Sequence, residues 1–340
     1  MSQSKTNSSI DLLYSKGVSV SDVRKYGCFT TMPVRRHDNH RLHDEVEHRL
    51  FDQWNDIIGD GVTDICFGSM NHVSGGWDSL ALPEAKPERI YYTIWLTIFF
   101  FILDDKAETL PREEAHNLNL EVDKIFSIED PSVELRVDMS PMEKLLTPFV
   151  KDFLAHDQAR AIPVLRQWRY WLQNVDSKCV EDFRSIEEYI SYRTINVGLL
   201  PFDAMMRYVM ELDITVDEVK LVEPINWHTC ASAALTNDYW SWNKEVANNN
   251  QHSMRIMNGV TVLGKEKGVG IEEALRMLKE LALVHERQAA DLCAEFLELE
   301  STHPRSNDFY KYVEAHLWFI GGNSYWSSTC RRYRINGLTA

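Results

Sequence analysis

Cysteine, glycine, proline and basic charge are all in short supply in this 340-residue chain. The cysteines at 28, 66, 179, 230, 293 and 330 are scattered without a CxxC pair, which argues against a zinc centre or a disulfide framework. Reduced thiols, as in a cytoplasmic protein, are the expectation. With 15 glycines and 11 prolines there is no Pro/Gly/Ser-rich linker, and no internal repeat occurs, so one domain over residues 26–340 is expected. Lys and Arg number 36 against 51 Asp and Glu, and the net charge of −15 excludes the usual basic footprint for nucleic acid or an anionic membrane. The uncharged run Ile90–Leu103 is 14 residues long, too short to span a bilayer, so no membrane insertion is expected. The first 25 residues are polar and lack a positively charged start leading into an apolar run. They are expected to be frayed and not to be a signal peptide.

What is present is helical periodicity. The pattern predicts helices over Leu42–Trp54, Ile90–Leu103, Glu143–Ala155, Ala161–Val175, Ile186–Leu199, Pro201–Met210, Pro224–Lys244, Ile271–Leu299 and Phe309–Tyr325. Ser185-Ile186-Glu187-Glu188 has the spacing of a capping box. No strand-like alternation stands out, so the fold class is all-α.

Two helical stretches carry hard oxygen donors. Asn237, Ser241 and Glu245 recur every fourth residue, which places them along one helix face, drifting about 40° per step. Such a ladder can hold one Mg²⁺ with room for an outside ligand. Lys244 lies about 20° from the azimuth of Asn237, so its ammonium can reach the same ligand. A solvated polar face is the alternative for the ladder taken alone. Asp104-Asp105-Lys106-Ala107-Glu108 follows the apolar run with Phe99, Phe100 and Phe101 in it. Asp104 and Glu108 share a face, and carboxylates crowded at a helix C-terminus oppose the macrodipole unless a cation relieves them. Asp105 is a further ligand candidate.

The aromatic helix ending in DDxxE, followed 133 residues later by the Asn/Ser/Glu motif, resembles class I terpene synthases of the microbial single-domain kind. The resemblance covers about residues 30–335 and implies an isoprenoid-synthase-type α-helical bundle around a central apolar cavity. It implies three Mg²⁺ ions and an isoprenyl diphosphate substrate. Arg193, 44 residues before Asn237, matches the family's diphosphate-sensing arginine, with Asn196 as linker and Val197 as effector. Arg332-Tyr333 matches its C-terminal Arg-Tyr pair, and Asn258–Leu263 resembles the helix start after the second metal motif. Two departures stand out: Glu108 where many relatives carry Asp, and Val197 where many bacterial ones carry Gly.

The expected activity is Mg²⁺-dependent ionisation and cyclisation of farnesyl diphosphate to a sesquiterpene. Geranylgeranyl diphosphate is the alternative substrate. Arg193, Lys244, Arg332 and Tyr333 are expected to bind diphosphate, Arg193 and Arg332 without structural ion pairs, with Phe101 and Trp326 in the cavity wall. A chain-elongating synthase would carry a second Asp-rich motif, and a non-catalytic helical isoprenoid- or diphosphate-binding protein would not need these groups together. A homodimer is compatible with the sequence. His37-Asp38 and His43-Asp44 also spell an HD-type metal phosphohydrolase pair, but downstream ligands are missing, and a charged surface helix is expected there instead.

Overall fold

The computed structural model describes residues 12–132, 134, 136–175, 178–252, 256–299 and 304–334. Helices dominate: α1 Val20–Lys25, α2 Leu42–Ile57, α3 Trp77–Ala81, α4 Ile90–Thr109, α5 Arg112–Phe126, α6 Pro141–Asn174, α7 Ile186–Asn196, α8 Pro201–Val209, α9 Val216–His252, α10 Gly259–Lys267, α11 Ile271–Glu298 and α12 Asn307–Thr329. The all-α bundle expected from the pattern is the architecture found. One small sheet is added, in which β1 (Ser15–Gly17) pairs antiparallel with β2 (Arg35–His37). At three residues each, these strands are too short to leave an alternation in the sequence.

The centre of the bundle is α4. Its residues from Ile90 to Leu103 are buried apart from the half-buried Tyr91 and Phe101, so it has no solvent face to read as amphipathic. Around it pack α2, α5 and α8, and α9 packs on α7, α10, α11 and α12. Local signals set the helix starts. Ser140 and Glu143 form a reciprocal capping box on α6 with Pro141 as its first residue, and Ser185, Asn258 and Ser306 cap α7, α10 and α12. Gly321 and Gly322 let α12 lie against the backbone, since a Cβ on either would meet Pro33 O at 2.3 Å or Leu80 O at 2.0 Å.

Several expectations need correction. The segment expected to fray is structured from Leu12: Glu84 accepts from the Leu13 and Tyr14 amides at 2.9 and 3.2 Å and holds β1 to the body. Residues 1–11 of that segment lie outside the described residues. The two helices expected over 143–155 and 161–175 are borne out as the two arms of α6, which meet at the non-helical Asp157, whose carboxylate takes Arg89 at 2.8 Å and Arg160 at 3.1 Å. The α2 region is not a charged surface helix throughout. His43 and Glu47 are buried, with His43 Nε2 2.6 Å from Ser69 Oγ and Glu47 accepting from the Ser69 and Met70 amides. Helix α4 runs six residues past Leu103, so Asp104, Asp105 and Glu108 all stand on its last turns.

Candidate active site

Helices α3, α4, α6, α7, α8, α9 and α12 enclose a cavity of about 380 Å³. Its interior is walled by Trp77, Phe100, Trp168, Trp171 and Phe202, and its open end carries the charged groups. The lining rings pack on one another: Phe100 stacks on Trp168 at 3.6 Å between centroids, and Phe101 on Trp326 at 5.8 Å.

On the α4 side, Asp104, Asp105 and Glu108 each offer a carboxylate oxygen, all within 4.8 Å of one another. Asp104 and Glu108 line the cavity and Asp105 is turned into the protein, 7% exposed. Burial raises the Asp104 carboxyl, with Asp105 adding to the effect, and burial with the neighbouring Asp104 raises Glu108. Burial would also raise Asp105, but the Arg332 guanidinium and the Lys244 ammonium outweigh it and hold this carboxyl at about 2. Three carboxylates this close, two of them with raised affinity for protons, are a donor set that fits a divalent cation.

On the α9 side, Asn237, Ser241 and Glu245 line the same cavity. Ser241 Oγ donates to Glu245 Oε1, and Asn258 Nδ2 donates to Glu245 Oε2 at 3.2 Å. Burial, then the nearby Asp238 charge, push the Glu245 carboxyl up to about 7. Asn237 receives Arg193 Nη2 at 3.1 Å and donates to Tyr333 Oη at 2.6 Å. The ladder is thus gathered on one face toward the cavity, not solvated.

The cations are present, but Arg193 and Arg332 are held in ion pairs, contrary to expectation. Arg332 bonds Asp105 at 2.7 Å and Asp104 at 3.2 Å, and lies 5.0 Å over the Phe101 ring. Lys244 Nζ stands 3.5 Å from Asp105 and 3.8 Å from Glu108. Arg193 is tied by Nε and Nη2 to Asp238 at 2.9 and 2.8 Å, and also donates to Asn196 Oδ1. Sequence spacing cannot show these partners, because Arg332 meets carboxylates 227 residues away. Asn196 donates to Val175 O at 2.7 Å, and Trp171 Nε1 donates to Asn196 O at 3.0 Å. Val197 closes α7, and Gly198 turns the chain with φ of +74°, a left-handed geometry that favours glycine. Tyr333 packs edge-on to Trp326 at 5.8 Å. All fourteen side chains singled out from the sequence therefore cluster around this cavity, with Asp105 set just behind its wall.

Two residues were missed. Asp238 is fully buried and accepts from Arg193, from Tyr189 Oη at 2.6 Å and from the Gly259 amide at 2.8 Å. It directly follows Asn237 in the sequence, off the face that the every-fourth-residue ladder marks. Tyr189 stands one helical turn before Arg193, a signal visible only once Asp238 is placed. Among the described residues no helix is long and apolar enough to cross a membrane.

Residues 95–288 match the family described as Terpene synthase family 2, C-terminal metal binding. The chain is similar to a sesterterpene synthase from Colletotrichum orbiculare, at 28% identity over 90% of this chain and 44% of the relative. It is also similar to a bifunctional terpene synthase from Fusarium proliferatum, at 29% identity over 94% of this chain and 43% of the relative. The chain spans less than half the length of these relatives. Among solved structures, aristolochene synthase from Penicillium roqueforti superposes with a TM-score of 0.71 at 22% identity, covering 87% of this chain and 97% of that one, which establishes the shared fold.

Proposed function

The chain belongs to terpene synthase family 2, and on that premise we propose that it ionises and cyclises a linear isoprenyl diphosphate with Mg²⁺. The observation that carries this reading is the pairing of two oxygen donor sets, on α4 and α9, across the open end of one aromatic cavity. Residues 26–340 are read as one catalytic domain.

Asp104 and Glu108, with Asp105 behind them, would hold metal on the α4 side; Asn237, Ser241 and Glu245 would hold it on the α9 side. Bound Mg²⁺ supplies charge neutralisation that makes diphosphate a leaving group, and the resemblance implies three such ions. Arg193, Lys244, Arg332 and Tyr333 bind diphosphate oxygens and, by closing over them, exclude water. To do so Arg332 and Lys244 exchange their present carboxylate partners for phosphoryl oxygens. Departure of diphosphate leaves an allylic cation among the lining rings of Phe100, Phe101, Trp168 and Trp326, and a ring face open to the cavity attracts it by about 2 kcal/mol when desolvated. The end of α7 at Asn196 and Val197 adds the negative pole of a helix to the same wall.

Farnesyl diphosphate is the favoured substrate. A cavity of about 380 Å³ floored by indole rings lies near the low end of ligand pockets, roughly 300–1,000 Å³. One observation favours a longer, twenty-five-carbon chain instead: the Colletotrichum relative is a sesterterpene synthase. Incubating the protein with Mg²⁺ and farnesyl, geranylgeranyl or geranylfarnesyl diphosphate, then separating the extract by gas chromatography, tests both. A cyclic terpene from one of them is the expected result. Longer linear diphosphates would identify a chain-elongating enzyme, and intact substrate in every case would defeat the reading.

A further inference from the structure

One hydroxyl breaks the apolar wall deep in the cavity. Thr97 lines it from α4, seven residues before Asp104, and a rise of 1.5 Å per residue sets it about 10 Å below the carboxylates on nearly the same helix face. Thr97 Oγ1 donates to Asp78 Oδ1 at 2.7 Å, which leaves the hydroxyl lone pairs unused. Asp78 is on α3, directly after the cavity-lining Trp77, and is fully buried. Its other oxygen, Oδ2, has no hydrogen-bond partner and stands 3.4 Å from His43 Nε2, whose own Nδ1 is also unpartnered. A buried carboxylate left half unsatisfied behind a cavity wall is costly and calls for a reason. The other polar side chain at this depth, Asn323, is occupied: it accepts from Trp77 Nε1 at 3.0 Å and donates to Ala233 O at 3.3 Å.

We propose that Thr97, backed by Asp78, is the proton acceptor that ends the cyclisation cascade; this rests on the terpene-cyclising reading above. The released diphosphate is held at the open end and can take protons only there. A cation formed near the floor needs a base near the floor. The proton leaves the carbon next to the cationic centre, and its C–H electron pair becomes the new π bond. It arrives on Thr97 Oγ1 as the hydroxyl's own proton passes to Asp78 Oδ1. Cation and carboxylate thereby become a neutral alkene and a neutral acid at Asp78. Asp78 touches no substrate and is a positioning and relay residue; Thr97 is the catalytic one.

The test compares wild type with Thr97→Val, Thr97→Ser and Asp78→Asn, reading both diphosphate release and product identity. The wild-type product is expected to be a hydrocarbon. Thr97→Val keeps the side-chain shape and should still release diphosphate, because ionisation precedes the step. Its yield of the native product should fall by about a hundredfold, the scale of a lost general base, with other alkenes or alcohols in its place. Thr97→Ser should restore the native product, and Asp78→Asn should shift products as Thr97→Val does. If Asp78→Asn does not fold, the Val and Ser pair decides alone. Active Thr97→Val with an unchanged product ratio would overturn the proposal while leaving the cyclase reading intact. Wild-type protein that releases no diphosphate from any of the three substrates would bring down both.

Discussion

Arg332 and Asp105 are joined by a 2.7 Å charge-assisted hydrogen bond that ties the end of α12's following turn to the last turns of α4, 227 residues apart. Both are buried, so the pair serves the unliganded fold as well as any ligand. Removing one member strands the other charge, which typically costs about 3–5 kcal/mol. Arg332→Ala should therefore melt well below wild type without ligand, and should also lose the stabilisation conferred by Mg²⁺ plus inorganic diphosphate. Thermal scans with and without ligand measure both effects. An unliganded melting temperature equal to wild type would mean that the bond contributes nothing.

Asp104 and Asp105 adjoin in sequence but do different things. Asp104 is half exposed at the cavity and Asp105 is enclosed between Arg332 and Lys244. Asp104→Asn should keep the wild-type melting temperature and lose turnover. Asp105→Asn should lower the melting temperature by leaving two cations under-compensated. Steady-state kinetics beside calorimetry would expose a reversal of these roles.

Asn237→Ala and Glu245→Ala each remove one rung of the α9 ladder. Turnover should drop by two orders of magnitude or more, on the scale of about 3 kcal/mol of lost transition-state charge stabilisation. The circular dichroism spectrum should be unchanged. Ordinary rates at ordinary Mg²⁺ in either variant would remove the ladder from the metal site.

The Glu245 carboxyl sits at about 7 in the folded protein against an ordinary 4.5. Between these values the folded state holds a proton that the unfolded state has released. Metal-free stability should thus fall as pH rises from about 4.5 to about 7. Asp104 and Glu108, also raised, act in the same direction. Asp105, held at about 2, contributes the opposite trend, but only below about pH 4. Mg²⁺ prefers the ionised groups, so its affinity should climb through the same window. Denaturant titrations of wild type and Glu245→Gln from pH 4.5 to 7.5 check this, the variant giving the flatter curve.

The motif residues could be found from sequence because each set lies on one helix, where periodicity alone puts side chains on one face. Asp104 with Glu108, and Asn237 with Ser241 and Glu245, needed no tertiary knowledge. What joins helices was not legible. The ion pairs of Arg332 and Arg193 depend on how α4, α7, α9 and the chain after α12 meet, and Asp78 reaches Thr97 only because α3 packs on α4. The break at Asp157 falls between the two helices expected from the pattern, but its ion-pair partner Arg89, 68 residues earlier, could not be read from sequence. Length of α4 was underestimated because charged residues after Leu103 look like a helix end, whereas Arg332 and Lys244 neutralise them and let the helix continue.

Asp238 offers the sharpest check on how the surroundings of Arg193 are built. It is 0% exposed and holds Arg193 through two guanidinium nitrogens, while Tyr189 and the Gly259 amide occupy its second oxygen. Burial disfavours the Arg193 cation, and Asp238 outweighs that and raises its affinity for the proton. Asp238→Asn keeps the shape but leaves a buried guanidinium without its counter-charge, so stability should fall by about 3–5 kcal/mol. Tyr189→Phe removes the hydrogen bond to the Asp238 carboxylate, worth about 1.5–3 kcal/mol, with the weaker 3.3 Å contact to Met257 O, and leaves the ion pair in place. Calorimetric titration with Mg²⁺ and inorganic diphosphate should find binding weakened in both, and more in Asp238→Asn. Arg193→Lys cannot make the two-nitrogen contact and should bind as poorly as Asp238→Asn. Wild-type affinity in Asp238→Asn would mean that Arg193 is oriented by Asn196 and Asn237 alone.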